Sequence, residues 1–134
     1  MSETNCILAI INGERDDPKA RIIKAGVEEF AMQSVEGART REIARAAGVN
    51  LAAINYYFGS KEGLYLEIVR EIAEAMHRHK KPYFDRAKEL FDKPDPAKAR
   101  ELLMDFLFSH VSEACENRFY LSISLIIVKE EIYP

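Results

Sequence analysis

Apolar residues recur at three- and four-residue spacing through most of the chain. Glycine or proline interrupts them at intervals, so the pattern predicts a succession of helices. Ile22, Ile23, Gly26, Val27 and Phe30 form one stripe behind Asp16-Asp17-Pro18, an acidic cap followed by proline in the first turn. That helix is expected to fade at Gln33-Ser34, with Glu36-Gly37 supplying the break. A short helix should follow from about Thr40 to Ala47, with Ile43, Ala44 and Ala47 facing inward. Gly48 ends it, being free to take the left-handed conformation after a last turn. Asn50 can cap a third helix running roughly from Leu51 to Phe58, and Gly59-Ser60 stops that one and caps the next.

From Lys61, the positions Leu64, Ile68, Ile72, Ala75 and Met76 predict a long amphipathic helix that reaches a boundary at Lys80-Lys81-Pro82. Tyr83, Phe84, Ala87, Leu90 and Phe91 predict a separate helix beyond the proline. Lys93-Pro94-Asp95-Pro96 is a turn, and Asp95-Pro96 opens a further helix by the same cap-plus-proline logic. That helix carries Leu102, Leu103, Phe106, Leu107, His110, Val111 and Ala114, and Asn117 is expected to end it. The final segment, "FYLSISLIIVKEEIYP", could be a strand by local propensity. Since every element before it is helical, it is read as a buried last helix. The opening "MSETNCILAIINGERDD" has a short apolar centre from Cys6 to Ile11 but lacks the basic start and cleavage pattern of a signal peptide. A loose arm or an extra packing segment is expected there. The fold class is therefore all-α.

Composition narrows the function classes. With 48% hydrophobic and 31% charged residues, the 134-residue chain has an ordinary globular balance. A net charge of −3 means that any nucleic-acid site must come from local placement of cations. The two cysteines, Cys6 and Cys115, lie far apart without metal-like spacing, which suits a reducing cytosol. His77 and His79 are two apart on a helix and make a poor metal pair, so no metal or cofactor is expected. No apolar run approaches bilayer length, and a cytoplasmic protein without membrane attachment is expected. There is no glycine-rich phosphate loop, metal-ligand cluster or nucleophile motif, so the chain is read as not an enzyme.

The stretch "AGVNLAAINYYFGSKEGLY", Ala47 to Tyr65, carries the chemistry. Two short helices separated by a glycine turn form a helix-turn-helix, with Ile43, Ala44, Ala47, Val49, Ile54 and Phe58 as its inward set. Ala44 and Gly48 are small where the helices approach closely. The run "TREIARAAGVNLAAINYYFGSKEGLY", Thr40 to Tyr65, resembles the TetR family of bacterial transcriptional regulators, and "IIKAGVEEFA", Ile22 to Ala31, resembles that family's first helix. Asn50 followed by Ala-Ala-Ile-Asn-Tyr-Tyr-Phe further resembles a branch with a CecR-like ligand domain. The resemblance implies a DNA-binding transcriptional regulator of the repressor type. It would be a homodimer on double-stranded operator DNA, with a helical domain that binds a small-molecule effector and dimerises. The expected division is an arm over 1–16, a helix-turn-helix domain over 17–62 and an incomplete effector domain over 63–134.

Placed in a major groove, the start of the third helix would present Asn50, Leu51, Ala52, Ala53 and Asn55 to base edges. Asn55 can pair two-pronged with adenine. Tyr56 and Tyr57 are expected to bond phosphates, and Lys61 with the amides after Ser60 to form a phosphate clamp. Thr40 and Arg41 match family positions that hold phosphate and reach into the groove, and Arg39 and Arg45 add charge nearby. Each has a plainer alternative. Tyr57 could pack on Phe30 in the interior, Asn55 could be an ordinary surface residue, the arginines a solvated face and Lys61 a solubilising residue. Arg39 stands where the family often has a capping threonine, so Thr40 must cap the second helix instead or the capping box with Glu42 is absent.

For an effector, the pointers are aromatic, Met and His residues of the later helices: Met76, Tyr83, Phe84, Met104, Phe106, Phe108, His110 and Phe119, each of which could equally be core. His110 is read as a core histidine. The chain stops at "KEEIYP", inside what resembles the effector domain, which should leave "FYLSISLIIV" with few partners. An alternative function follows from that segment: a helical protein-interaction module, or a truncated regulator, with vestigial DNA binding.

Overall fold

The computed structural model describes residues 5–132. Among them are seven helices: α1 (Cys6–Ile11), α2 (Pro18–Met32), α3 (Thr40–Ala47), α4 (Leu51–Phe58), α5 (Lys61–Asp92), α6 (Pro96–Glu116) and α7 (Arg118–Ile132). Residues 1–4 of the expected arm and Tyr133-Pro134 at the end of the expected effector domain lie outside the described residues.

The caps follow the side chains foreseen for them. Asp17 accepts from the Ala20 amide with Pro18 in the first turn of α2, Asn50 accepts from Ala52, and Ser60 accepts from Gly63. Asp95 accepts from both Ala97 and Lys98 at the start of α6. Asn117 ends α6 and also accepts from the amides of Phe119 and Tyr120, so one side chain closes one helix and opens the next.

α2 is the central element, packing against α1, α3, α5 and α7. Its Ile22, Ile23, Val27 and Phe30 meet Ile43 of α3, Ile54 of α4, and Leu64 and Ile68 of α5 in one buried cluster. A Cβ on Gly26 would come within 2.8 Å of the Ile68 side chain, which shows how closely α2 and α5 approach. The cluster continues through Ile7 of α1 and Phe119, Ile123 and Ile126 of α7.

Two expectations need correction, the boundary at Pro82 and the buried last helix, and two open alternatives are decided. Pro82 is no boundary: α5 runs through it to Asp92, and Tyr83–Phe91 is not a separate helix. The proline removes one N–H bond, but Pro82 itself is exposed and the strong helix formers around it prevail. Of the loose arm and the extra packing segment expected at Cys6–Ile11, the packing segment holds, as a short helix. Ile7 is buried, and the Asn5 amide, also buried, donates 2.8 Å to the Glu71 carbonyl. α7 is a helix but only half-buried, because Leu121, Leu125 and Val128 face outward. α6 buries only Leu102 and leaves Leu103, Met104, Leu107, Phe108 and Val111 exposed. At the start of α3 the second alternative holds: Thr40 does not cap the helix and the capping box is absent. Arg39 occupies that position without a side-chain cap, and its amide donates to Glu29 of α2 at 3.2 Å. Glu42 turns to Arg45 instead of completing a capping box.

Candidate nucleic-acid interface

The helix-turn-helix is built from α3, the turn Gly48–Asn50 and α4. Gly48 sits at φ 64°, and its amide donates to the Arg45 carbonyl while the Val49 amide donates to Ala44. These paired bonds close α3 and redirect the chain, a conformation that favours glycine. Ile43, Ala44 and Ala47 are buried beneath α3, with Val49 half-buried beside them.

α4 is held by few groups. Ile54 is its one fully buried residue, helped by half-buried Ala53 and Phe58. Everything else faces outward, and the eight residues of α4 carry no charge. Leu51 is 38% exposed, Tyr56 83% and Tyr57 41%, with Ala52 and Asn55 exposed beside them. A short helix presenting Leu, Ala, Asn and Tyr to water without a charged residue is poorly matched to solvent and well matched to a groove edged by methyls and amide partners. Asn50 spends its side-chain oxygen on the Ala52 amide at 2.9 Å, which leaves its amide N–H groups available.

The cations divide into two kinds. Arg39 and Arg41 are exposed beside the turn, and among the described residues neither guanidinium has an ion-pair partner. Arg45 is also exposed but pairs with Glu42 at 2.8 Å. Lys61 is half-buried and donates to the carbonyls of Glu36 and Ala38, each at 3.2 Å. The conflict between this cation and the positive end of α5 is therefore resolved inside the chain, by the loop between α2 and α3. Tyr57 does not pack on Phe30. The ring against Phe30 is Tyr65, at 5.0 Å and 72°, while Tyr57 stands edge-on to Tyr56 at 5.0 Å.

The α4–α5 corner depends on Gly63. A Cβ there would lie 2.1 Å from the Phe58 carbonyl oxygen. Arg41, Asn50, Leu51, Ala52, Asn55, Tyr56 and Tyr57 are exposed, Thr40 and Ala53 are half-buried, and Lys61 is bonded to the loop between α2 and α3. Arg21 is a residue the sequence pattern did not single out. Its guanidinium reaches to 3.9 Å from where a Gly48 Cβ would be, and its Nε is buried without a hydrogen-bond partner.

A second site lies among α1, α5, α6 and α7, where a cavity of about 490 Å³ is lined by Met76 and His110 among others. Phe119 is buried in the core cluster rather than at this cavity. Phe84, Met104 and Phe108 are not brought there: they are 58%, 58% and 75% exposed, and Phe108 lines a separate groove between α5 and α6. His110 is half-buried, its Nδ1 2.9 Å from the Phe106 carbonyl and its ring 4.4 Å from that of Phe106. Tyr83 meets Phe106 edge-on at 5.3 Å, tying α5 to α6. Cys115 is an exposed free thiol, and the Cys6 side chain lies outside the described atoms. No described helix is long and apolar enough to cross a membrane.

The family model described as bacterial regulatory proteins, tetR family, matches residues 22–68, which run from the α2 stripe into α5. The chain is similar to the HTH-type transcriptional dual regulator CecR of Shigella flexneri, 37% identical over 92% of this chain and 55% of that protein. It is also similar to the HTH-type transcriptional repressor NicS of Pseudomonas putida, 30% identical over 72% of this chain and 43% of that protein. The HTH-type transcriptional regulator RutR of Escherichia coli is 38% identical over 42% of this chain and 26% of its own length. The chain spans about half the length of the first two relatives.

Proposed function

The chain belongs to the tetR family of bacterial regulatory proteins, and from that premise we propose that it is a cytoplasmic, non-enzymatic transcriptional regulator of repressor type. It binds operator DNA as a homodimer, with α4 in the major groove. The uncharged outward face of α4 carries this reading, because that surface suits base edges and methyls better than bulk water. Asn55 makes the two-pronged base contact, Asn50 donates from its free amide, and Leu51, Ala52 and Ala53 permit close approach or meet thymine methyls. Thr40, Arg41, Tyr56 and Tyr57 hold phosphates on either side. Lys61 contributes by holding the α2–α3 loop in place, with the amide-lined start of α5 as the remaining phosphate site. The cavity beside Met76 and His110 receives the small effector.

Selection of bound sites from a random duplex pool, repeated with Asn55→Ala, tests the assignment. Selection should yield a recurring site with two half-sites, and Asn55→Ala should relax the preference at one position per half-site by about 1–3 kcal/mol. Enrichment of no sequence by the unaltered chain would count against base readout by α4.

The exposed apolar residues of α6 and α7 favour a second reading, a helical module that binds another protein through that surface. Substitutions at Leu121 and Leu125 would then abolish partner binding, and salt would have little effect on it.

A further inference from the structure

The cavity is amphipathic. Its walls are apolar, with Ile7 and Leu8 from α1, Ile72 and Met76 from α5, and Ile123 and Ile127 from α7. Its polar lining groups His79, His110, Glu113 and Tyr120 come together, with His79 Nε2 3.9 Å from the Glu113 carboxylate and the two imidazole rings 5.7 Å apart. Burial pushes the Tyr120 phenol up to about 12, and the neighbouring Glu113 carboxylate adds to that rise, so the hydroxyl stays protonated beside the acid.

Two features of these polar groups point to the chemistry of a ligand. His79 Nε2 is buried and has no hydrogen-bond partner, a cost that a bound group would relieve. Among the described residues, Glu113 has no lysine or arginine within ion-pair distance. Lys80 is the cation in the lining, and its Nζ stands over the Phe106 ring at 5.6 Å, against the two lining carboxylates Glu113 and Glu116. Glu116 adds a second carboxylate to the lining. The charged lining is therefore weighted toward anions, and it faces an apolar chamber of a size that suits a small drug-like molecule.

We propose that this cavity takes a lipophilic amine. The protonated nitrogen donates to the Glu113 carboxylate and to His79 Nε2, with the imidazole proton held on Nδ1, and the apolar body lies against Ile72, Met76, Ile123 and Ile127. This rests on the reading of the chain as an effector-responsive regulator and names the class of effector. Carboxylic acids of the same shape are disfavoured by Glu113 and Glu116, which outnumber the single lining lysine, Lys80.

Three probes of one shape test it on the full chain: 1-naphthylmethylamine, 1-naphthalenemethanol and 1-naphthylacetate, with affinities measured by calorimetry. The amine should bind at least tenfold tighter than the alcohol, and the acetate weakest. Glu113→Gln should remove most of the amine's advantage while leaving the alcohol within about twofold, and Ile127→Trp, which fills the chamber, should abolish binding of all three. Acetate binding as tight as the amine, an amine affinity untouched by Glu113→Gln, or no binding of any probe to the folded chain would overturn the proposal. Duplex binding measured on the same preparation separates the two readings. Loss of DNA binding with amine binding intact would contradict the regulator and not the amine site.

Discussion

Asn50 does two things with one side chain. Its oxygen caps α4 through the Ala52 amide, and its N–H groups face outward. Asn50→Ala should cost about 1 kcal/mol of stability, read as a lower denaturation midpoint, together with weaker DNA binding. Asn50→Ser keeps a capping oxygen and should restore the stability without restoring the binding; recovery of both would mean that the cap alone mattered. Lys61 shows where residue-level reading of the sequence runs out. A cation at a helix start suggests an anion nearby, but the partners are two backbone carbonyls more than twenty residues earlier in the chain. No local pattern encodes such a pairing, because it exists only once α2, α3 and α5 have packed. Lys61→Met should therefore lower stability by about 1 kcal/mol and loosen the loop, seen as faster amide exchange around Gly37–Arg39. The alternative reading of Tyr57, packing on Phe30, does not hold, for a related reason: periodicity marks an aromatic as inward or outward only approximately, and it is Tyr65 of α5 that meets Phe30.

Among the elements, α3 and α4 were legible from Gly48 at the end of α3 and from Asn50 and Gly59 at the two ends of α4, although no side chain caps the start of α3. α5 was not. Pro82 reads as punctuation, yet the helix continues on an exposed stretch where one lost bond costs little. Pro82→Ala should stabilise the chain by about 2 kcal/mol with no change in DNA binding, a thermal-melt measurement. The opposite is expected at the α4–α5 corner. Gly63→Ala places a methyl group against the Phe58 carbonyl and should cost about 1–3 kcal/mol while turning α4 away from its seat on Ile54. Duplex affinity should fall more than the stability loss explains.

At the scale of the whole molecule, the N-terminal helix bundle and α7 share one core. Lys129 of α7 donates to the carbonyls of Phe30, at 3.2 Å, and of Ala31 and Gln33, covering the C-terminal end of α2, and Tyr65 bonds to Glu130 of α7. Burial and the Glu130 carboxylate together hold the Tyr65 phenol well above its ordinary range. α7 also lines the cavity through Tyr120, Ile123 and Ile127, so a ligand there touches the same helix that caps α2. Lys129→Met should lower stability by about 1–2 kcal/mol and weaken any effect of a bound amine on duplex affinity. The sequence announced an all-helical chain with a helix-turn-helix. It did not announce that α1 would wall a cavity, because six residues of apolar sequence carry too little periodicity to place them.

The central claim is that α3 and α4 form a DNA-binding surface whose cations grip phosphates. Its most direct test is the salt dependence of affinity for a labelled duplex, compared between the unaltered chain and Arg41→Ala. The account predicts that log affinity falls linearly with log salt, with a slope near −0.9 for each phosphate contacted, and that Arg41→Ala makes the slope shallower by about one. An affinity indifferent to salt, or a slope that Arg41→Ala leaves unchanged, would contradict it.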